Sequence, residues 1–130
     1  MEIFEIIILS LSGLALIYAS SMRLIQPKKA HFLQTYLSNP VNKLENDTNL
    51  VNEIRGIGSV MCLGGLTIWI GIIIPSFRQT GFVVAIVILF GVVIGRLISI
   101  RLDGKPNKAI IKVMTVEIIL SVFNIFCLVN

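Results

Sequence analysis

Gln79-Thr80-Gly81-Phe82-Val83-Val84-Ala85-Ile86-Val87-Ile88-Leu89-Phe90-Gly91-Val92-Val93-Ile94-Gly95 is a run of 17 residues with no charge, held between Arg78 and Arg96. A helix that crosses a bilayer needs roughly 20 mostly apolar residues, within about 17–25. The run, extended into Leu97 to Ile100, reads as such a span, from about Gly81 to Ile100. The rest of the chain repeats the pattern. Glu5 and Arg23 bracket 17 uncharged residues inside a span from about Ile3 to Leu24. The 22 uncharged residues between Arg55 and Arg78 supply most of a span from Ile54 to Ile74, with Pro75 placed to terminate it. The last span, Ala109 to Val129, is interrupted by Lys112 and Glu117.

Composition agrees with this reading. Of 130 residues, 55% are hydrophobic and 14% charged, and mean hydropathy is +0.92. Soluble domains carry about 25% charged residues. A chain this small cannot hide that much apolar surface in a core of its own, so lipid must cover part of it. A soluble enzyme, a disordered tail and a disulfide scaffold are excluded on that ground. The net charge of +4 and pI of about 9.4 do not outweigh it, and they argue for no nucleic-acid partner. The expected fold is an all-α, single-domain, four-span antiparallel bundle over residues 1–130. Ala19-Ser20-Ser21 would pass as a signal-peptide cleavage site, but Glu2 and Glu5 stand where such a peptide needs Lys or Arg, so the first segment is read as a retained span.

Basic residues set the orientation. Arg23, Lys28, Lys29, Lys43 and Arg55 fall in or beside the first loop. Arg96, Arg101, Lys105, Lys108 and Lys112 fall in or beside the third, so Arg78 alone of the 11 lies on the other side. The positive-inside rule then puts loops one and three in the cytoplasm and both termini outside. The expected location is a bacterial cytoplasmic (inner) membrane, crossed several times. Short second and third connections make spans two, three and four antiparallel neighbours. The first loop, about Ile25 to Glu53, is long. Phe32, Leu33, Tyr36 and Leu37 share one helical face there, ringed by Lys28, Lys29 and His31, which suits an interfacial helix or a partner-binding one. Asn46-Asp47-Thr48-Asn49 reads as a turn that caps the second span.

Small residues mark helix contacts, because lipid gives helices no hydrophobic reason to associate. Gly91, Gly95 and Ser99 recur every four residues in span three. Gly58 with Gly65 and Gly64 with Gly71 lie two turns apart in span two, and Ala15 and Ala19 one turn apart in span one. Packing within the bundle and homo-oligomerisation are both open uses of these faces.

Charges inside spans are costly, about 2.5–3.5 kcal/mol each on insertion scales, and tend to have a role. Glu117 lies eight residues into span four, and Ser121 and Asn124 extend it into one polar stripe. The topology puts Glu53, Arg55, Arg96, Asp103 and Glu117 at one depth. The expectation is a polar cluster of these residues with Ser99, Ser121 and Asn124, in which Arg96 and Glu117 form the buried pair. Several readings stay open. Arg55 and Arg96 could snorkel to lipid phosphates. Asp103-Gly104-Lys105-Pro106 could be only a tight turn. The Arg96–Glu117 pair could fix helix register, bind an anionic ligand, or handle a proton.

Asn52-Glu53-Ile54-Arg55-Gly56-Ile57-Gly58 at the start of span two resembles an uncharacterised bacterial membrane family, domain of unknown function 4345. Gly95-Arg96-Leu97-Ile98-Ser99 running to Asp103-Gly104-Lys105-Pro106, with Glu117 beyond, does so too. The resemblance covers residues 50–129 well and the first span by hydropathy. Where the family often shows a glycine and a tyrosine after the paired glycine of span two, this chain has Ser59-Val60-Met61. The resemblance implies a small four-helix integral membrane protein and carries no activity.

Other chemistry has few residues to work with. Cys62 and Cys127 differ too much in depth for a bridge. His31 is the only histidine, and no phosphate loop or nucleophile elbow is present. No metal or cofactor is expected, and catalysis by Glu117 with Asp103 lacks any mark of a substrate. Two functions remain. The first is an accessory or oligomer-forming subunit with the bilayer and a larger membrane complex or its own copies as partners. The second is a membrane-embedded site for a lipid headgroup, small anion or proton.

Overall fold

A computed structural model describes residues 2–27 and 48–130. The amphipathic segment of the first loop, with Lys28, Lys29, His31, Phe32 and Lys43, lies outside the described residues, as do Asn46 and Asp47. Four long helices make up the described chain: α1 (Glu2–Ile25), α2 (Thr48–Ile73), α3 (Arg78–Asp103) and α4 (Lys108–Val129). All four are long and apolar enough to cross a membrane.

The helices outrun the apolar segments. α2 begins at Thr48, six residues before Ile54, so the polar residues Asn49, Asn52 and Glu53 are helical and not part of the loop. Hydropathy marks where lipid ends, and a helix can continue past that point into the headgroups. Thr48 and Asn49 lie within the helix, and the other half of the expected capping turn, Asn46 and Asp47, lies outside the described residues. The ends that the chain does set are local. Pro75 has no N–H to give and holds Ile74 in an extended conformation (φ −113°, ψ 104°), which stops α2. A single 3-10 turn, Pro75–Phe77, leads directly into α3. At the far end Gly104 takes φ 99°, a left-handed value that a side chain would resist, and ends α3. The side chain of Asn107 then caps α4, accepting a hydrogen bond from Ile110 N at 2.9 Å.

Packing uses the small residues of α2 on two faces. A Cβ on Gly58 would meet Arg23 Cβ at 2.9 Å, and one on Gly65 would meet Ile17 Cγ1 at 2.8 Å and Gly13 O at 3.3 Å, so this face lies against α1. A Cβ on Gly64 would fall on Ile88 Cδ1, and one on Gly71 would meet Phe77 O at 2.9 Å and Gly81 Cα at 3.3 Å. That second face lies against α3 and the turn before it. Leu9, Leu16, Met61, Ile68, Phe82, Ala85, Leu89 and Leu120 fill the space between the helices. Outward faces stay apolar: Leu63, Val87, Leu97, Leu102, Val116 and Val122 are each more than half exposed, a surface suited to acyl chains.

Gly91 and Gly95 are different. Both are exposed, and a Cβ on either would meet nothing within 4 Å. Among the described residues these two glycines pack against no helix, so of the two uses left open for such faces the structure gives no support to packing within the bundle. The buried side of α3 is formed by Gly81, Phe82, Ala85, Leu89 and Val93, and Gly91 and Gly95 lie off that stripe. Gly56 is equally open.

Candidate functional site

α1 and α4 are closed at one end of the bundle and parted at the other. At the closed end Phe4 of α1 meets Phe123 and Phe126 of α4 edge to face, with ring centroids 5.9 and 6.4 Å apart. One turn further in, Asn124 Nδ2 donates to Ser12 Oγ at 2.7 Å and to Leu120 O at 2.8 Å, while Ser12 Oγ donates to Ile8 O. Asn124 and Ser12 are fully buried. An amide–hydroxyl bond between helices is a usual membrane device, because each polar atom needs a partner there. Arg78 adds a tie at this end, pairing with Glu2 at 3.2 Å and Glu5 at 3.6 Å.

Beyond Ser12 the helices separate around a half-open groove of about 270 Å³. Ala15 and Ala19 of α1 form one wall and Val113 and Val116 of α4 the other, with Leu89 of α3 and Met61 of α2 behind. Ala15 and Ala19 pack against the core between the helices and also line the groove. The polar side chains that line the groove are Tyr18, Arg23, Arg96 and Glu117, and the rest of the lining is apolar.

Arg23, Arg96 and Glu117 lie on separate helices. Glu117, on the inner face of α4, is 8% exposed. Arg96 reaches it from α3, Nη2 donating to Glu117 Oε1 at 3.1 Å, and donates through Nη1 to Ile110 O at 3.2 Å. Glu117 Oε2 is buried and accepts no hydrogen bond from the described residues. Arg23, on α1, donates through Nη1 to Ala19 O at 2.9 Å and also lines the groove. A buried carboxylate with one oxygen satisfied and the other bare is a group prepared for a further donor. Ser121 Oγ donates to Glu117 O at 2.7 Å, so it serves the backbone of α4 and leaves the carboxylate alone.

The other residues expected in the cluster stand elsewhere. Ser99 Oγ donates to Asp103 Oδ2 at 2.9 Å on the exposed face of α3, so Asp103 does not join Glu117. Glu53 and Arg55 are exposed, and neither side chain has a partner among the described residues. Their angular position explains this. Ile54, Gly58, Met61 and Gly65 form the buried stripe of α2, and a residue one step from Ile54 is turned about 100° away from it. Depth and angle are separate coordinates, and only depth follows from topology. Arg23 was missed as a site residue because it sits where an apolar run ends. Its signal was the spacing Ala15-Ala19-Arg23, which places the guanidinium on the same face as two small residues.

Both cysteines are free, Cys127 buried and Cys62 partly so. Among the described residues no three His, Cys, Asp or Glu side chains gather in a way that could hold a metal ion.

No curated protein and no solved structure matches the chain. The model of one family, the domain of unknown function DUF4345, matches residues 4–128. That span takes in all four helices, the Arg96–Glu117 pair and the groove beside it, and the chain belongs to the DUF4345 family.

Proposed function

We propose that this protein is a multi-pass membrane protein of a bacterial cytoplasmic membrane that holds one chain of an amphiphile in the groove between α1 and α4, with the amphiphile's head at Arg23, Arg96 and Glu117. One observation carries the reading: a buried carboxylate, bare on one oxygen, stands in the wall of an apolar groove. Ligand sites combine a mostly apolar lining with a few convergent polar groups. Ionisable groups inside a membrane mark such sites more often than chance. The polar cluster foreseen at the cytoplasmic side keeps Arg96 and Glu117 in this reading, with Arg23 in the place of Arg55.

The orientation belongs to the same proposal. Contacts between Gly58 and Arg23 and between Gly65 and Gly13 support α1 and α2 running in opposite directions. Ten of 11 basic residues flank loops one and three, which favours the cytoplasm for the groove's polar end and the outside for both termini.

Native mass spectrometry of the protein released from its own membranes tests this. The wild type is expected to carry one amphiphile per chain, and Ala15→Phe, which fills the groove, to carry none. A bare wild type indistinguishable from Ala15→Phe would overturn the proposal.

A second reading, an accessory or self-associating subunit, is favoured by the open Gly91–Gly95 face of α3. The same spectra test it: a defined oligomer or retained partner protein that is lost in Gly91→Ile would support this role.

A further inference from the structure

The polar end of the groove has a hydrogen-bonding pattern specific enough to name a head group, given that the groove holds an amphiphile at all. Arg96 commits Nη1 to Ile110 O and Nη2 to Glu117 Oε1. The fork offers five donors in all, and its remaining N–H bonds have no partner among the described residues. Beside them Glu117 Oε2 is an acceptor with nothing to accept. The site therefore needs one oxygen that accepts and one O–H that donates, a short distance apart.

Phosphoethanolamine and phosphoglycerol heads and monoacylglycerols carry a donor and an acceptor on separate groups, and few membrane amphiphiles supply both from one carbon. An ester carbonyl accepts but cannot donate. A trimethylammonium head has no donor and meets two guanidinium groups of like charge. A phosphodiester offers acceptors only. An alcohol has one oxygen, which must then reach Arg96 and Glu117 together. A carboxylic acid supplies a carbonyl oxygen and a hydroxyl from one carbon, in the fork geometry that Arg and carboxylates share. Volume narrows the tail. About 270 Å³ equals roughly nine water-sized groups at about 30 Å³ each, enough for a stretch of one chain and not for two side by side.

We infer that the groove takes a single long-chain carboxylic acid. Its O–H donates to Glu117 Oε2, its carbonyl oxygen accepts from Arg96, and its chain lies on the wall of Ala15, Ala19, Val113 and Val116. The buried carboxylate, nine-tenths hidden and half satisfied, is completed by the ligand's proton and by no group among the described residues.

The test is a native mass-spectrometric titration of the purified, delipidated full chain with hexadecanoic acid, hexadecanol and methyl hexadecanoate. The acid is expected to bind one per chain and about tenfold more tightly than the methyl ester, the effect of leaving a buried acceptor unpaired. Glu117→Gln replaces the bare acceptor by a group that can also donate, so the acid's advantage over the ester should vanish. If that variant fails to fold because Arg96 loses its partner, Arg96→Gln/Glu117→Gln removes both charges and serves the same purpose. Equal binding of acid and ester by the wild type would overturn the head assignment, as would a preference that survives loss of the Glu117 carboxylate. Ala15→Phe and the milder Ala19→Leu separate this from the groove reading. If both fill the groove and block all three probes while the wild type does not discriminate, only the head assignment fails. If all three probes bind the filled variants as well as the wild type, the groove is not the site and both readings fail.

Discussion

At the residue scale Glu117 is the unusual feature: an acid eight residues inside an apolar span, with Arg96 for a partner and one oxygen to spare. Breaking such a pair from one side is far worse than removing it whole, because the survivor is a buried charge with no counter-charge. Arg96→Met is therefore expected to lower stability toward the lower end of about 3–5 kcal/mol, since Arg96 keeps some exposure. Arg96→Met/Glu117→Leu should recover most of that loss while taking up no acid. Thermal unfolding in detergent checks both, and a double variant no more stable than Arg96→Met would show that the two side chains are not coupled. Asn124 is a second such position. Its bond to Ser12 joins α1 to α4, and a double-mutant cycle of Asn124→Leu with Ser12→Ala should give a coupling of about 0.6 kcal/mol, and at most about 1.7 kcal/mol. Glu117 and Asn124 were legible in the sequence because polar groups in an apolar run must face inward. Arg23 was not, because a charge at the edge of a run looks like a boundary. Arg55 was misplaced for a related reason: counting residues along a helix fixes depth, and the angle depends on which neighbour the helix meets.

At the element scale the four spans were readable to within a few residues at seven of their eight ends, and the start of α2 was not. Apolar runs report the thickness of the lipid, whereas α2 continues through its polar first turns. Glycine spacing showed that some faces permit close approach without saying which of them are used. Gly58 and Gly65 meet α1, Gly64 and Gly71 meet α3 and its turn, and Gly91 and Gly95 meet nothing among the described residues. Substitution should separate these classes. Gly71→Ala sets a methyl group against the backbone at Phe77 O and Gly81 Cα, neither of which can rotate away. It is expected to cost about 1–3 kcal/mol, as overpacking does. Gly64→Ala meets only the tip of Ile88, which can turn, and should cost less. Gly91→Ala and Gly95→Ala should stay within about 0.5 kcal/mol of wild type, as open surface positions do. A large loss of monomer stability in Gly91→Ala would mean that α3 is turned differently from its place here.

At the scale of the whole molecule the ends of the bundle differ in charge and in closure. One end is shut by Phe4, Phe123 and Phe126, and its single basic residue, Arg78, is held between Glu2 and Glu5. Among the described residues the other basic side chains lie toward the opposite end, with Arg23 and Arg96 at the mouth of the groove. An amphiphile's head would therefore be taken up from the basic side, where an anionic carboxylate is attracted and takes up a proton from water as its chain is buried. The argument depends on which side of the membrane that is, and topology labelling decides it. In a cysteine-free background, Ser76→Cys and Lys105→Cys place single exposed thiols in the turn before α3 and the loop after it. A membrane-impermeant maleimide added to intact cells is expected to label the Ser76→Cys variant, and to reach the Lys105→Cys thiol only after the membrane is opened. The reverse pattern would turn the protein over and put the groove's mouth outside. Labelling of both from one side would mean that α3 does not cross. Because Arg78 is already paired with two acids, the positive-inside bias rests on the basic residues of loops one and three. Neutralising Arg78 should leave the labelling pattern as it is, whereas removing Arg101, Lys105, Lys108 and Lys112 together should weaken it.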